Sequence, residues 1–179
     1  MKSAKKLIIV LFVVYLFIPN AGFSQSIEAK DTAQNQVLLA AREIIKAAKT
    51  CALITIDEDG NTRVRTMDPF QPEENFTIWL GTNANSRKVV QIKNHPQVSL
   101  YYLDSDASGY VVIQGTAELI NDSKEKDKRW KKEWEAFYPN KTDNYLLIKI
   151  TPQWLEVSST TRGIYSDPQT WQPPRIEFD

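Results

Sequence analysis

The chain of 179 residues has little cysteine, histidine or glycine and no excess of charge of either sign. A single cysteine, Cys51, excludes an intrachain disulfide, and a single histidine, His95, excludes the usual metal cages of several His and Cys ligands. The 22 Lys and Arg residues balance the 22 Asp and Glu residues, which argues against nucleic acid as a partner because such binding needs a basic face. No metal is therefore expected, and the chain either borrows its chemistry from another cofactor or carries out none.

The N-terminus lacks a hydrophobic run long enough to span a membrane. Three lysines within the first six residues precede an unbroken apolar run of twelve residues at 7–18, whereas a spanning helix needs about 20. Small residues then lead to a cleavage position after Ser24. Residues 1–24 are therefore predicted to be a Sec-type signal peptide, and the mature protein is predicted to be periplasmic or secreted, with no stable membrane span. An uncleaved N-terminal anchor is the alternative.

The remaining chain divides into a polar lead-in, one domain and a tail. Residues 25–36 are polar and predicted to be a flexible lead-in, residues 37–160 form the domain, and residues 161–179 are a Pro-rich tail predicted to pack on it. Apolar residues recur at helical spacing over 37–48. Six β patterns follow, several joined by tight turns, at residues 51–57, 62–68, 76–82, 97–104, 110–121 and 145–160. This arrangement predicts a small barrel decorated with helices.

Two further helices are predicted between these strands. The first covers residues 83–94, with Val89, Val90 and Ile92 as its apolar side. The second covers residues 123–138 and carries a set of aromatic residues along one side, which predicts that this side packs on the barrel: Trp130, Trp134, Phe137 and Tyr138. The last strand is predicted to bend near Pro152. Trp171 is predicted to attach the tail to the domain, and the alternative is that it folds over a ligand cleft.

The transition into the helix at residues 83–94 carries the strongest functional pattern. A strand ends at Thr82, hydroxyl and amide side chains follow, and Arg87 and Lys88 stand in the first helical turn. Cations there oppose the helix dipole, which favours negative charge at the N-terminus. A bound phosphate explains them, because backbone N–H groups, the Ser86 hydroxyl and two cations together hold a dianion. An ordinary surface helix with solvated cations is the alternative.

A second group of cations lies on the strand at residues 62–68. Alternation places Arg63, Arg65 and Met67 on one face of that strand. These side chains are either solvated edge residues or the second wall of the same phosphate site.

Together these features resemble the FMN-binding split barrels of the pyridoxamine 5′-phosphate oxidase-like superfamily, particularly its general-stress-protein branch. The run Thr82-Asn83-x-x-Ser86-Arg87-Lys88 is similar to the phosphate helix of that family, and Arg63-x-Arg65-x-Met67 is similar to its arginine strand. The strand from Tyr110 to Leu119 resembles the one behind the flavin. The order of strand, turn, arginine strand, proline loop, strand and Ser-Arg-Lys helix is more specific than any single part.

The resemblance implies a six-stranded antiparallel split β-barrel that forms a homodimer and binds FMN in two clefts at the subunit interface. It implies that the phosphate contacts are made by Arg65, Ser86, Arg87 and Lys88, with Arg63 on the same strand. Met67, Gly81 and Thr82 would approach the ribityl chain or the ring, and Tyr110 would make a polar ring contact.

One departure from the family pattern limits the expected activity. Oxidase members carry a C-terminal Trp and Arg pair for flavin and substrate, whereas this chain has Val157 where the family aromatic falls and has Arg162 and Trp171 at other spacings. A true pyridoxamine phosphate oxidase is therefore not expected. We expect an exported FMN-dependent oxidoreductase acting on a small substrate, with no side chain identified as catalytic. The alternative is a non-catalytic barrel that binds a flavin or another ligand in a stress-related role.

Overall fold

The computed structural model describes residues 21–139 and 144–178, with side chains from residue 30 onward, and is built around one antiparallel sheet. The strands in chain order are β1 Cys51–Ile56, β2 Thr62–Met67, β3 Ile78–Asn83, β4 Gln97–Leu103, β5 Gly109–Ile120, β6 Tyr145–Ser159 and β7 Arg175–Glu177. The helices are α1 Ala21–Ala48, α2 Arg87–Asn94 and α3 Ser123–Lys128, with a 3-10 helix at Lys132–Ala136.

The sheet has the order β2-β1-β4-β5-β6-β3, and β7 pairs with β6 beside this path. Its two edge strands, β2 and β3, are not joined by a ladder. They approach each other through an isolated bridge between Pro69 and Leu80, where proline has no N–H to extend the pairing. This open antiparallel sheet with flanking helices confirms the predicted split-barrel class. The six predicted strands are present, and a seventh, the short β7, comes from the tail.

The inner face of the sheet forms the core, because strand residues alternate between its two faces. Leu53, Leu100 and Ile113 belong to the inner side, and α1 covers them with Ala41 and Ile44. β6 changes register opposite Gln114 and Gly115, so the predicted bend near Pro152 is present as a bulge.

The opposite side of β2, β1, β4 and β5, which we call the outer face, carries apolar side chains that remain partly or largely exposed. The buried residues of α1 and Ile92 of α2 belong to the core on the inner face, and Gln91 of α2 bonds to Thr55 on that face, so neither of these helices covers the outer face. The apolar and aromatic residues of the outer face are Ile54, Ile56, Val64, Tyr101, Leu103, Tyr110 and Val112, and polar residues such as Thr66, Ser99 and Gln114 lie among them.

The predicted flexible lead-in is wrong, because residues 25–36 are part of α1. This segment contains neither proline nor glycine, so nothing in it stops the buried helix at residues 37–48 from extending outward. Residues 30–36 are exposed. The predicted signal peptide falls mostly on residues 1–20, which lie outside the described residues. No helix in the described part of the chain is long and apolar enough to cross a membrane.

The single helix predicted over residues 123–138 is also wrong. Asp122 caps α3 by accepting a hydrogen bond from the Glu125 N–H (2.9 Å). The helix then ends at Lys128, and its C-cap residue Arg129 leaves the helical conformation at φ −114° and ψ 60°. The Arg129 guanidinium lies 3.6 Å from the centre of the Trp79 ring. This tertiary contact sets the end of α3, and the 3-10 helix that follows leaves Phe137 73% exposed instead of packed on the barrel.

The tail lies along β6 through β7 and buries Ile164 and Ile176. Trp171 differs from its prediction, since it is 80% exposed and does not attach the tail to the domain. The reason is local: the Asp167 carboxylate accepts hydrogen bonds from the N–H groups of Gln169 (2.9 Å) and Thr170 (2.8 Å), which fixes a tight turn. Trp171 follows in the left-handed region at φ +60°.

Candidate functional site

The folded chain brings β2 and the start of α2 together on the inner side of the sheet. The register of β1 and β2 pairs Arg63 with Thr55, Arg65 with Leu53 and Met67 with Cys51, and these three β1 residues are buried. Directly paired residues point to the same face, so the prediction that Arg63, Arg65 and Met67 share one face is confirmed. α2 packs on β1 through its buried residues Val89, Gln91 and Ile92. Val90 is exposed, contrary to the prediction.

Neutral groups hold the Arg65 guanidinium at the base of the site. Its Nη1 donates to the Thr55 hydroxyl (2.6 Å) and its Nη2 donates to Gln91 Oε1 (2.9 Å). The Thr55 hydroxyl in turn donates to the same Gln91 oxygen (2.6 Å). Thr55 and Gln91 are buried, so this network fixes the guanidinium without giving it a counter-charge.

A second neutral network holds Lys88. Its Nζ donates to the Thr82 hydroxyl (3.1 Å), which is also hydrogen-bonded to the Ser86 hydroxyl (3.1 Å). Ser86 is the N-cap residue of α2, yet its side chain makes no cap hydrogen bond, and the first turn contains no acidic residue. The free N–H groups at the N-terminus of α2 are therefore available to an acceptor from outside the helix.

The cations here are not neutralised by the described protein. Among the described residues, no carboxylate lies within ion-pair distance of Arg65, Arg87 or Lys88. Burial, and then the charges of Arg87 and Arg63, lower the pKa of Arg65. Burial, and then the charge of Arg65, lower the pKa of Lys88. A bound anion would reverse both effects, because it favours the charged forms of these groups.

Arg63 differs from the other cations. Its Nε donates to the Asp57 carboxylate at 2.6 Å, in an ion pair whose carboxylate side chain is 10% exposed. Arg63 therefore lies beside the site with its charge already balanced. Together with Arg87 and Gln91 it lines a pocket of about 270 Å³ between α2 and the turn after β1.

A larger cleft of about 690 Å³ lies between the edge strands β2 and β3. Three residues predicted for the site, Met67, Gly81 and Lys88, line it, together with Trp134 and Tyr138 from the segment after α3. The Trp134 ring lies directly on Gly81, so that a Cβ atom at Gly81 would meet Trp134 Cη2 at 2.8 Å. The Trp134 Nε1–H donates to the Asp68 carboxylate (2.9 Å), which fixes the ring across one wall of the cleft.

Within one copy of the chain, Tyr110 lies apart from the other predicted site residues. It lies on the outer face, paired with Leu103 of β4 and Ser158 of β6. Its ring is stacked on Tyr101 with 5.6 Å between the ring centres. Two strands, β1 and β4, separate its strand from the arginine strand β2.

The sequence patterns did not identify Thr55, Gln91, Asp57 or Trp134 as part of the site. Gln91 offered a usable signal, since it is a polar residue beside Ile92 on the buried side of a short helix, and buried polar groups need partners. The helical spacing of Trp134 predicts packing on the barrel, and its ring does pack, over the cleft.

One comparison with known proteins identifies a family. Residues 38–165 match the model of the family described as Pyridoxamine 5′-phosphate oxidase like. No curated protein matches the chain.

Solved structures with the same fold have low sequence identity to this chain. A Clostridium acetobutylicum protein related to general stress protein 26 is 21% identical, covers 78% of this chain and 93% of its own, and has a TM-score of 0.65. General stress protein 26 from Bacillus anthracis is 23% identical, covers 82% and 98%, and has a TM-score of 0.62. A pyridoxamine 5′-phosphate oxidase-related, FMN-binding protein from Nostoc punctiforme is 16% identical, covers 92% and 100%, and has a TM-score of 0.52.

Proposed function

Because the chain belongs to the pyridoxamine 5′-phosphate oxidase-like family, we propose that it binds FMN, with the phosphate at the N-terminus of α2. One observation carries this proposal: Arg65, Arg87 and Lys88 have no carboxylate partner among the described residues, while their neutral partners hold two of them in place. Cations beside a helix N-terminus that lacks a side-chain cap are suited to a phosphate dianion.

The residues present fit both ends of an FMN molecule. At the phosphate end, the Ser86 hydroxyl and the first N–H groups of α2 add donors to the three cations. At the ring end, the cleft between β2 and β3 is lined by apolar and aromatic side chains such as Met67 and Trp134 and by charged ones such as Asp68 and Lys131. The apolar and aromatic part suits a flat ring system. The FMN-binding relative from Nostoc punctiforme is consistent with this assignment.

We propose that the protein is an FMN-dependent oxidoreductase acting on a small substrate. A bound flavin supplies reversible hydride and electron transfer, while the chain binds the phosphate, orients the ring and limits the access of water. Pyridoxamine phosphate oxidation is not proposed, because Val157, at the position of the family aromatic, is completely buried in the core. This residue has no surface with which to contact a ligand.

We propose that two copies associate through the outer face. Val64 and Leu103 on this face are 62% and 49% exposed, and contiguous exposed apolar surface marks an interaction site. A two-fold symmetric dimer pairs the same surface with itself, so one apolar sheet face covers the other. Tyr110 lies on this face and would then border the partner's cleft, as the family resemblance implies.

We also propose that the protein is exported. The support is the sequence pattern of residues 1–24: basic residues, a twelve-residue apolar run and small residues before the cleavage position. N-terminal sequencing of the protein from its native source should begin near Gln25. A soluble cytoplasmic protein that retains Met1 would contradict export.

A flavin-binding protein without turnover is the second candidate. The observation that favours it is the Trp134 ring on Gly81, which reduces the room for a substrate beside a flavin ring. Reduction of the bound flavin by a nicotinamide or another donor, followed by multiple turnovers, favours the oxidoreductase. Binding without turnover favours the second candidate.

The decisive experiment compares FMN with riboflavin, which lacks the phosphate. Purified protein should show visible flavin absorbance after incubation with FMN and desalting, and fluorescence quenching gives both affinities. We expect FMN to bind much more tightly than riboflavin, by roughly tenfold or more for each charge-assisted hydrogen bond to the phosphate. Equal affinities, or no binding of either flavin, would show that the cations are ordinary solvated surface.

A further inference from the structure

The network beneath the cations has a feature that phosphate binding alone does not require. Arg65 is held by the hydroxyl of Thr55 and the amide oxygen of Gln91, at 2.6 Å and 2.9 Å. Both partners are buried, with relative exposures of 1% and 8%. A carboxylate could hold the same guanidinium and is the common partner of a buried arginine, yet the chain places two neutral groups there.

We infer that Thr55 and Gln91 are positioning residues that set FMN selectivity by holding the Arg65 guanidinium without neutralising it. This inference rests on the proposed function, because the selectivity concerned is that of the phosphate site. Neither residue is assigned a contact with the flavin; both act through Arg65.

The geometry leaves one edge of the guanidinium for the anion. The Thr55 hydroxyl and Gln91 Oε1 are themselves hydrogen-bonded at 2.6 Å, so they face the same edge, the one between Nη1 and Nη2. Nη1 also donates to the Leu53 carbonyl at 3.4 Å. The Arg65 Nε–H and the Nη2–H beside it have no acceptor among the described residues. This pair of donors suits two oxygens of one phosphate.

The orientation of the Gln91 amide follows from its partners. Its oxygen receives two donors, from Thr55 and Arg65, so the oxygen and not the amide nitrogen must face them. Gln91 lies on α2 one turn after Arg87, and its hydrogen bonds therefore connect the phosphate helix to β1 and β2. Loss of this connection should loosen Arg65 while the remaining cations stay in place.

The most direct test is Gln91→Glu, which keeps the shape and places a carboxylate beside Arg65. FMN affinity should fall by roughly ten- to a hundredfold, the range of a charge-assisted hydrogen bond, while riboflavin affinity should not change. The matched control is Gln36→Glu, which adds the same charge at an exposed position of α1 and should leave both affinities unchanged.

A second pair of variants tests position rather than charge. Thr55→Val keeps the side-chain shape but removes the hydroxyl, and we expect FMN affinity to fall by roughly tenfold. Thr55→Ser restores the hydroxyl and should restore the preference for FMN over riboflavin. Circular dichroism and thermal unfolding of every variant identify any that fail to fold. If one of Gln91→Glu and Thr55→Val does not fold, the other one decides whether the inference holds.

The outcomes separate this inference from the proposed function. If wild-type protein binds the two flavins equally, both the proposed function and this inference are wrong. If wild-type protein prefers FMN but Gln91→Glu and Thr55→Val keep that preference, only the positioning role is wrong. If riboflavin binding falls as much as FMN binding in either folded variant, the residues support the fold as a whole and not the phosphate site, which also overturns the inference.

Discussion

Replacement of Gly81 by alanine tests the close packing of Trp134 against one wall of the cleft. The added Cβ would lie 2.8 Å from Trp134 Cη2 and 2.9 Å from Tyr145 Cε2, whereas favourable carbon contacts lie at about 3.5–4.0 Å. Gly81 is not among the glycines with positive φ, so alanine introduces a steric overlap without backbone strain.

Neither aromatic ring can move away freely. Tyr145 is completely buried and contacts Trp134 edge to face, with 5.9 Å between the ring centres. Trp134 is also held by its hydrogen bond to Asp68 at 2.9 Å. We therefore expect Gly81→Ala to lower the free energy of unfolding by about 1–3 kcal/mol, the usual cost of overpacking a closely packed site.

A double-mutant cycle with Trp134→Phe separates this overlap from other effects. The shorter side chain of phenylalanine does not reach the position of the indole's six-membered ring. The loss of unfolding free energy caused by Gly81→Ala should therefore be smaller by about 1 kcal/mol or more in that background, as measured by urea unfolding. Gly163→Ala is the control, because Gly163 has φ +69° and no atom within 4 Å of an added Cβ. Its cost should be the same in both backgrounds. An unchanged cost of Gly81→Ala would show that Trp134 does not occupy the space beside Gly81.

Further predictions concern the phosphate site and the outer face. Arg87→Ala should weaken FMN binding by roughly ten- to a hundredfold and leave riboflavin binding and thermal stability nearly unchanged, since Arg87 is exposed; an equal loss for both flavins would contradict this. Burial, and then the charge of Arg65, lower the pKa of free Lys88, and a bound dianion raises it. The FMN-to-riboflavin affinity ratio should therefore fall as pH rises through the lowered pKa of free Lys88. A ratio that rises there would refute this sign. Val64→Lys should convert a dimer to a monomer in light scattering, whereas Gln36→Glu should not.

The alternation and turn chemistry of the sequence were sufficient to predict six of the seven strands and the shared face of Arg63, Arg65 and Met67. These are local properties, because side chains two positions apart in a strand share a face of the sheet regardless of which strand pairs with it. The Ser86-Arg87-Lys88 run likewise predicted a helix start, because its polar residues follow directly on an apolar strand.

Other features of the site depended on residues far apart in the chain. Arg63 is balanced by Asp57 and Arg65 is held by Gln91, and a strand pattern does not state which neighbour each arginine will meet. The helix predicted over 123–138 breaks where Arg129 reaches Trp79, 50 positions earlier in the chain, because a tertiary contact outweighs helix propensity. The sequence alone was thus sufficient to predict six of the seven strands and the residues available for an anion site. The tertiary structure decided which cations stay without a counter-charge, because that depends on which carboxylates the fold brings within reach.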